Sequence, residues 1–170
     1  MNDGLLPAEQ KVLASLGHLP LDFRAMSAIS NVFRSSAALR RHLEANVLAA
    51  DRLSWTAFVG LWVLWVWGEM EAAAFAEAVG ISRPTATGVL RTLEQRAWVR
   101  RRKDPSDGRR VLLSLTPSGA NKIAELFPRF NAEEAELAAG LAPAEQDQLA
   151  RMLRTLLRSL DNRSTAEFEP

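Results

Sequence analysis

A cluster of positively charged side chains stands out in the middle of the 170-residue sequence. Residues 83–110 contain nine Arg and Lys residues against three acidic residues, a net charge of +6, whereas the whole chain has a formal net charge of only +1. A local excess of guanidinium and ammonium groups attracts polyanions such as the phosphates of nucleic acids. The charge count alone leaves open the alternative of a solvated basic patch without a partner.

The sequence offers little for catalysis or metal binding. It contains no cysteine, which excludes disulfides, thiolate chemistry and cysteine metal sites. His18 and His42 are its two histidines, too few and too isolated for a zinc site. Nucleophile-elbow, Walker and dinucleotide-binding motifs are all missing from the sequence. We therefore predict that the chain is not an enzyme and carries no metal or cofactor.

The composition is typical of one soluble globular domain, with 48% hydrophobic and 24% charged residues. No apolar run approaches the roughly 18–20 residues needed to span a bilayer. The N-terminus lacks a basic region followed by an apolar stretch, so a secretory signal is not expected. These features predict a cytoplasmic protein without a membrane partner.

Two short helices joined by a glycine turn are predicted to position the basic residues. Residues 69–79 are alanine-rich and favour a helix, and Gly80 follows where the chain must turn. Ser82 is a helix-capping residue type, and Pro84 falls in the first turn of a second helix that extends to about residue 97. This arrangement predicts a helix-turn-helix. Its expected packing residues are Phe75, Val79, Val89, Leu90 and Leu93.

A basic β-hairpin is predicted directly after the second helix. Residues 104–108 combine Asp, Pro and Gly in a pattern typical of a turn. Beyond it, Val111, Leu113 and Leu115 occupy alternate positions, as in a half-buried strand. A helix-turn-helix followed by such a hairpin is a winged helix, whose second helix can enter the major groove of DNA while the hairpin reaches the minor groove.

Helical patterns flank the winged helix on both sides. Residues 1–20 include a possible short helix, and residues 21–48 form a long amphipathic one. The apolar run 61–67 fits a buried strand or a buried helix, and the capping residue Ser54 favours the helix. A helix from Thr116 is expected to be kinked or interrupted at Pro128. The last helix carries an apolar stripe at 149, 152, 153, 156, 157 and 160, and 161–170 is a polar tail that is expected to fray.

The segments 79–87, 93–101, 104–111 and 115–119 resemble the multiple antibiotic resistance regulator (MarR) family of bacterial transcription factors. The most specific part is Asp-Pro-x-Asp-x-Arg in the wing, followed by Leu-Thr-x-x-Gly. The resemblance is strong over about 53–120, and the flanking helices fit the family architecture from about 21 to 160. The sequence departs from the family pattern at three places: Gly88 stands where relatives often have Arg, Arg91-Thr92 where Asp-Arg is common, and Ala97 where they usually have Gly.

The resemblance implies a mainly α fold with a small β-hairpin wing, in which a winged helix-turn-helix is flanked by N- and C-terminal dimerisation helices. The implied domains are an N-terminal extension at 1–20, dimerisation helices at 21–52 and 116–160, a DNA-binding domain at 53–115 and the tail at 161–170. It also implies a homodimer on a pseudo-palindromic operator in double-stranded DNA. Its transcriptional role is expected to be that of a repressor that responds to a small, aromatic or phenolic ligand.

The candidate DNA-binding residues lie on the second helix and the wing. Arg side chains can bind guanine through two hydrogen bonds, hydroxyls suit phosphates or bases, and Arg109 at the wing tip could enter the minor groove. Asp107 is expected to shape the turn and to hold a neighbouring Arg. The complete set is Ser82, Arg83, Thr85, Thr87, Arg91, Asp107, Arg109 and Arg110.

Aromatic residues around the apolar run are candidates for a ligand pocket, although such residues on a buried helix more often belong to the core. The candidates are Trp55, Phe58, Trp62 and Trp65. A different class of function stays open beside DNA binding: a winged-helix module that binds another protein and has no specific DNA site. Mixed charge on the second helix would favour that alternative, whereas Arg83 and Arg91 argue for DNA.

Overall fold

The computed structural model describes residues 4–107 and 110–166, with side chains described up to residue 162. The mainly helical fold with a small β-sheet wing is confirmed. In chain order the elements are α1 Pro7–Leu16, α2 Phe23–Leu43, a π-helical turn Glu44–Leu48, a 3₁₀ turn Ala49–Asp51, α3 Trp55–Trp67, β1 Met70–Glu71, α4 Ala72–Val79, α5 Arg83–Gln95, β2 Val99–Lys103, β3 Val111–Leu115, α6 Pro117–Ala138 and α7 Pro143–Ala166.

The core lies between α3, α4, α5, α6 and the sheet. The apolar run 61–67 is helical, as the capping residue predicted: the Ser54 Oγ accepts a hydrogen bond from the Ala57 N–H at 3.3 Å. The helix ends at Gly68, whose φ of +76° favours glycine. The largest fully buried side chains are Phe75, Leu48, Leu61, Leu90, Leu93, Leu113, Ile123, Leu126 and Val63.

The predicted helix-turn-helix is present as α4 and α5. Gly80 ends α4 with a φ of +72°, in the left-handed region that glycine tolerates best. The Ser82 Oγ then accepts a hydrogen bond from the Thr85 N–H at 3.3 Å and caps α5. Of the predicted packing residues, Phe75, Leu90 and Leu93 are buried and Val79 and Val89 are half-buried.

The sheet has three strands in the order β1-β3-β2, all antiparallel. The predicted hairpin of β2 and β3 is present. The prediction of a single helix over residues 69–79 is wrong for the first residues of that range. Met70 pairs with Leu113 and Glu71 with Leu112, so the segment begins as a strand and the helix starts only at Ala72. Pairing with a strand some 40 residues away overrides the local helix preference of the alanine-rich stretch.

The sequence predicts a kink or an interruption of the helix at Pro128 and a polar tail from residue 161. Pro128 does not interrupt α6, which runs from Pro117 to Ala138. Proline removes only one backbone hydrogen bond, and Leu126 and Phe130 on either side are buried, so tertiary packing keeps the helix intact. The helix α7 extends to Ala166, so the predicted polar tail begins as helix.

Within 4–107 and 110–166, no single helix is long and apolar enough to cross a membrane, and the pair Phe23–Asp51 and Trp55–Trp67 passes that test only together, across a 77° bend. In the same residues, no three His, Asp or Glu side chains converge in a way that could hold a metal ion.

Candidate nucleic-acid interface

The helix α5 presents one face to the core and another to solvent. Ala86, Leu90 and Leu93 are buried on its inner face. All five residues that sequence analysis assigned to the reading surface around this helix are exposed, namely Ser82, Arg83, Thr85, Thr87 and Arg91. The structure therefore leaves this set accessible along one helix and at its cap.

The hydroxyl groups on this face already have hydrogen-bond partners within the chain. The Ser82 and Thr85 hydroxyls lie 2.8 Å apart, and the Thr87 Oγ1 donates to the Arg83 carbonyl oxygen at 3.1 Å. Neither Arg83 nor Arg91 forms an ion pair with any acidic residue that the structure describes. These two guanidiniums are therefore available to a polyanion without first breaking a bond inside the protein.

The basic side chains of the wing, in contrast, are largely paired. Arg102 forms a two-pronged ion pair with Glu69, in which its Nε lies 2.7 Å from the Glu69 Oε2. Arg110 contacts Glu71 at 3.0 Å. Glu71 lies on β1 and Glu69 directly precedes this strand. The edge-strand segment that sequence analysis missed therefore carries the acidic partners of the wing.

The pairing keeps these groups ionised and reduces the local positive charge. The Arg102 hydrogen bond, and then the positive charges of Arg102 and Arg100, lower the pKa of Glu69, while Glu69 raises the pKa of Arg102. On the other side of β2, Arg101 contacts Glu94 of α5 at 2.7 Å. The +6 segment is thus partly neutralised by acids, of which Glu69 and Glu71 come from outside it. The alternation Glu-Met-Glu directly after Gly68 was the available sequence signal for this strand.

The turn of the wing is held by short-range hydrogen bonds. The Asp104 Oδ1 accepts from the Ser106 N–H at 2.8 Å and from its hydroxyl at 2.6 Å, and these bonds lower the pKa of Asp104. Arg110 lies beside Asp107, with the Arg110 Nε 3.5 Å from the Asp107 Oδ2. The predicted wing-tip residue Arg109 lies outside the described residues.

A second polar cluster joins the end of α5 to the rest of the protein. Arg96 donates to the carbonyl oxygens of Asp51 and Arg52, at 2.8 and 2.7 Å. The Asp51 carboxylate in turn contacts Lys122 at 2.7 Å and Arg129 at 3.1 Å, both on α6. The Lys122 hydrogen bond lowers the pKa of Asp51. This cluster connects the candidate reading helix with the long helix α6, and sequence analysis did not identify it.

The predicted aromatic pocket residues share one helix but do not enclose one space. Phe58 is buried and stacks on Phe130 with ring centres 4.2 Å apart, and Trp55 lies 6.0 Å from the same ring. Trp62 is half-buried and packs against the Trp67 ring, whereas the exposed Trp65 contacts Phe127. Trp55 and Phe58 therefore contribute to core packing. A cavity of about 350 Å³ lies elsewhere, between α1 and α2.

Comparison with known proteins points to one family. Residues 53–111 match the model of the MarR family. An uncharacterised helix-turn-helix transcriptional regulator, YwaE of Bacillus subtilis, is 41% identical over 155 residues, which cover 89% of this chain and 91% of YwaE. The transcriptional repressor MprA of Escherichia coli is 37% identical over 84 residues, about half of each chain. Among solved structures, Bordetella bronchiseptica BpsR, whose DNA binding is regulated by 6-hydroxynicotinic acid, has a TM-score of 0.68 and 26% identity over 76% of this chain and 98% of its own.

Proposed function

The chain belongs to the MarR family of transcriptional regulators, and on that premise we propose that it binds an operator in double-stranded DNA as a homodimer. The family assignment confirms the predictions of a winged-helix regulator and of a chain that is not an enzyme. The observation that carries the proposal is the exposed face of α5, on which Arg83 and Arg91 stand without an acidic partner among the described residues. The one acidic residue of α5, Glu94, is paired with Arg101 of the wing, so the free charges on this helix are positive, which favours DNA over the alternative of a protein-binding module.

The reading surface comprises α5 with its cap and the wing. We assign Ser82, Arg83, Thr85, Thr87 and Arg91 to the major groove and its phosphates, and Asp107, Arg109 and Arg110 to the wing contact. Arg110 has to exchange its ion pair with Glu71 for a phosphate when DNA binds. The DNA-binding domain is 53–115, between dimerisation segments at 21–52 and 116–160.

The surface of the isolated chain supports a dimer. Its accessible area is 12080 Å², against about 8,300 Å² for a compact chain of 18.8 kDa. Large apolar side chains are exposed on the first and last long helices: Phe33 on α2 is 71% exposed and Leu157 on α7 is 61% exposed. Obligate homodimers bury about 2,000–5,000 Å² of such surface in total. A second copy that covers both helices would remove this exposed apolar area from water.

We further propose that the regulator is a repressor and that a small aromatic ligand relieves repression. The name of MprA and the ligand of BpsR support this proposal by similarity. The exposed ring of Trp65, next to Phe127, offers an aromatic surface beside the core, with Trp55, Phe58 and Trp62 on the same helix. A ligand would act by its different affinity for two separations of the reading helices.

A binding assay on the DNA that flanks its own gene tests the proposed function. With six to ten phosphate contacts, the logarithm of the affinity should fall with the logarithm of the salt concentration with a slope of about −5 to −9. Arg83→Ala and Arg91→Ala should each weaken binding about tenfold, while Lys11→Ala, which removes the same charge from α1, should not. A flat salt response, or equal binding by all variants, would exclude α5 as the reading helix. Repeating the assay with a panel of aromatic acids tests the ligand response.

A further inference from the structure

Two backbone connections join the proposed DNA-binding domain, 53–115, to the rest of the chain. One enters through the π-helical turn Glu44–Leu48 and the 3₁₀ turn Ala49–Asp51, and the other leaves at residue 116 into α6. Such π-helical and 3₁₀ segments at the end of a long helix often mark a hinge. Arg52, which follows them, has a φ of +48°, in the left-handed region that residues other than glycine rarely adopt. The backbone of the first connection is therefore irregular, and side-chain contacts have to fix its direction.

A single group of charged side chains lies across both connections. We name it the junction cluster, and it consists of Asp51, Arg96, Lys122 and Arg129. Asp51 ends the 3₁₀ turn of the first connection, Arg96 stands at the C-terminal end of α5, and the other two cations lie on α6. The cluster therefore draws on the segment before the domain, on the domain itself and on the helix after it.

Asp51 contacts the two sides of the cluster with different atoms. Its carbonyl oxygen accepts a hydrogen bond from the Arg96 Nη1 at 2.8 Å, and its carboxylate lies 2.7 Å from the Lys122 Nζ and 3.1 Å from the Arg129 Nη2. The side chains of Asp51 and Lys122 are only 15% and 18% exposed, so solvent screens this pair less than an ion pair at the surface. Asp51 thereby fastens the turn to α5 through its backbone and to α6 through its side chain.

Arg96 connects the last turn of α5 to both connections. Its Nη2 donates to the Arg52 carbonyl oxygen at 2.7 Å, and its guanidinium lies 4.9 Å from the centre of the Trp98 ring. The Trp98 carbonyl oxygen in turn accepts from the Thr116 N–H at 3.0 Å, where the second connection begins. Because both terminal nitrogens of Arg96 are used within the protein, this guanidinium holds α5 in place.

The angle between α5 and α6 matters because a dimer has to place two reading helices in the major groove at once. Half-sites one helical turn apart are separated by about 34–36 Å, or 10–10.5 base pairs, so one inserted base pair displaces a half-site by about 3.4 Å and turns it by about 34–36°. A rigid junction cannot follow this displacement, whereas a loose one can. The stiffness of the junction therefore decides how strictly the spacing of an operator is read.

We propose that Asp51 is a positioning residue, which fixes the angle between the reading helix and α6 and thereby sets the half-site spacing that the dimer accepts. This role rests on the proposed operator binding by a homodimer. Asp51 acts through Arg96 and through the two cations of α6, without touching DNA. Loss of its carboxylate lets the domain turn on α6, so discrimination between spacings falls.

Operators that differ only in the distance between their half-sites test the proposal with the full-length protein. They are built from the sequence that the parent protein protects beside its own gene, with one or two base pairs inserted or removed at the centre. One inserted base pair should weaken binding by the parent at least about tenfold, and binding by Asp51→Asn at most about threefold. Arg96→Gln, which breaks the link from the α5 side, should behave like Asp51→Asn.

Glu133→Gln is the matched control for Asp51→Asn. It removes the same charge from an ion pair of α6, in which Glu133 lies 2.5 Å from His42 of α2, outside the junction cluster. This variant should keep the spacing penalty of the parent protein. A penalty that falls equally in Glu133→Gln would mean that any loss of an ion pair at α6 loosens the protein, and it would overturn the role of Asp51.

A distance measurement in the absence of DNA separates this role from the proposed function. The sequence contains no cysteine, so Glu77→Cys on α4 and Ala132→Cys on α6 allow spin labels at two exposed positions. With labelled chains diluted in unlabelled ones, pulsed electron paramagnetic resonance reports the distance within one chain. Its distribution should be at least about twofold wider in Asp51→Asn than in the parent or in Glu133→Gln.

The two measurements together decide the proposal. An unchanged spacing penalty or an unchanged distance distribution in Asp51→Asn overturns it, and so does a parent protein that binds all spacings equally. If the parent binds no operator at all, the proposed function is overturned, and the spacing role falls with it. If the parent binds its operator with a spacing penalty that Asp51→Asn retains, the proposed function stands and only the role of Asp51 is lost.

Discussion

Gly119 is the position at which one added methyl group should damage the fold most directly. It lies in the first turn of α6, where a Cβ would stand 2.0 Å from the carbonyl oxygen of Trp98, against a limit of about 3.0 Å for real contacts. The same oxygen accepts a hydrogen bond from the Thr116 N–H at 3.0 Å, at the base of the wing. Gly119→Ala therefore has to push two backbone segments apart by about 1 Å.

The size of the effect follows from three contributions. Overpacking of this kind costs about 1–3 kcal/mol. Loss of the hydrogen bond between Thr116 and Trp98 adds about 0.5–1.5 kcal/mol. The better helix propensity of alanine returns up to about 1 kcal/mol. We expect a net loss of about 0.5–4.5 kcal/mol of unfolding free energy, at roughly 2–4 °C of Tm per kcal/mol for a chain of this length.

Urea unfolding followed by circular dichroism, at one protein concentration, measures this loss. Gly88→Ala is the matched control, because Gly88 is also helical and nothing lies within 4 Å of its added Cβ. That variant should be about 0.5–1 kcal/mol more stable than the parent protein. If Gly119→Ala is as stable as the parent while Gly88→Ala behaves as expected, the close approach of α6 to Trp98 is not a constraint on the fold.

Three further substitutions test other parts of the structure. Ala97 has a φ of +56°, so Ala97→Gly should relieve left-handed strain and raise the unfolding free energy by about 0.5–1 kcal/mol. The urea midpoint should rise with it, and a lower midpoint would contradict this expectation. Lys122 lowers the pKa of Asp51, so the stability from this pair is present above the ordinary value of 3.8 and is lost as the pH falls through the folded-state pKa. Asp51→Asn should therefore lose about 1 kcal/mol at pH 7 and progressively less as the pH falls below 3.8, and an equal loss at pH 7 and pH 2 would refute the ion pair. Glu69→Gln should free Arg102 for phosphate and steepen the salt slope of DNA binding by about 0.9, whereas an unchanged slope would mean that Arg102 does not reach DNA.

The features that sequence analysis predicted correctly depend on neighbours in the chain. Ser54, Ser82 and Thr116 each cap a helix through a backbone N–H three residues away, and each was identified by residue type alone. Gly80 has the positive φ that its position after an alanine-rich helix indicated. The exposure of the candidate residues Arg83, Thr87 and Arg91 follows from the helical period in the same way.

The features that sequence analysis did not predict depend on contacts between distant segments. The strand at Met70 exists because β3 offers it a pairing edge, and the acids beside it then meet Arg102 and Arg110. Sequence left open whether the helix would be kinked or interrupted at Pro128, and α6 is continuous there because the buried residues on either side pack against the core.

By itself, then, the sequence determined the order of the helices and of the hairpin strands, the helix caps and the basic segment, because each arises from interactions within a few residues. Only the tertiary structure decided which charges are neutralised, which aromatic rings belong to the core and where Gly119 approaches the Trp98 carbonyl oxygen, because these follow from segments brought together by packing. The cavity between α1 and α2 belongs to the second group, since Glu9 and Ser27 are 18 residues apart and meet only when the two helices are folded together.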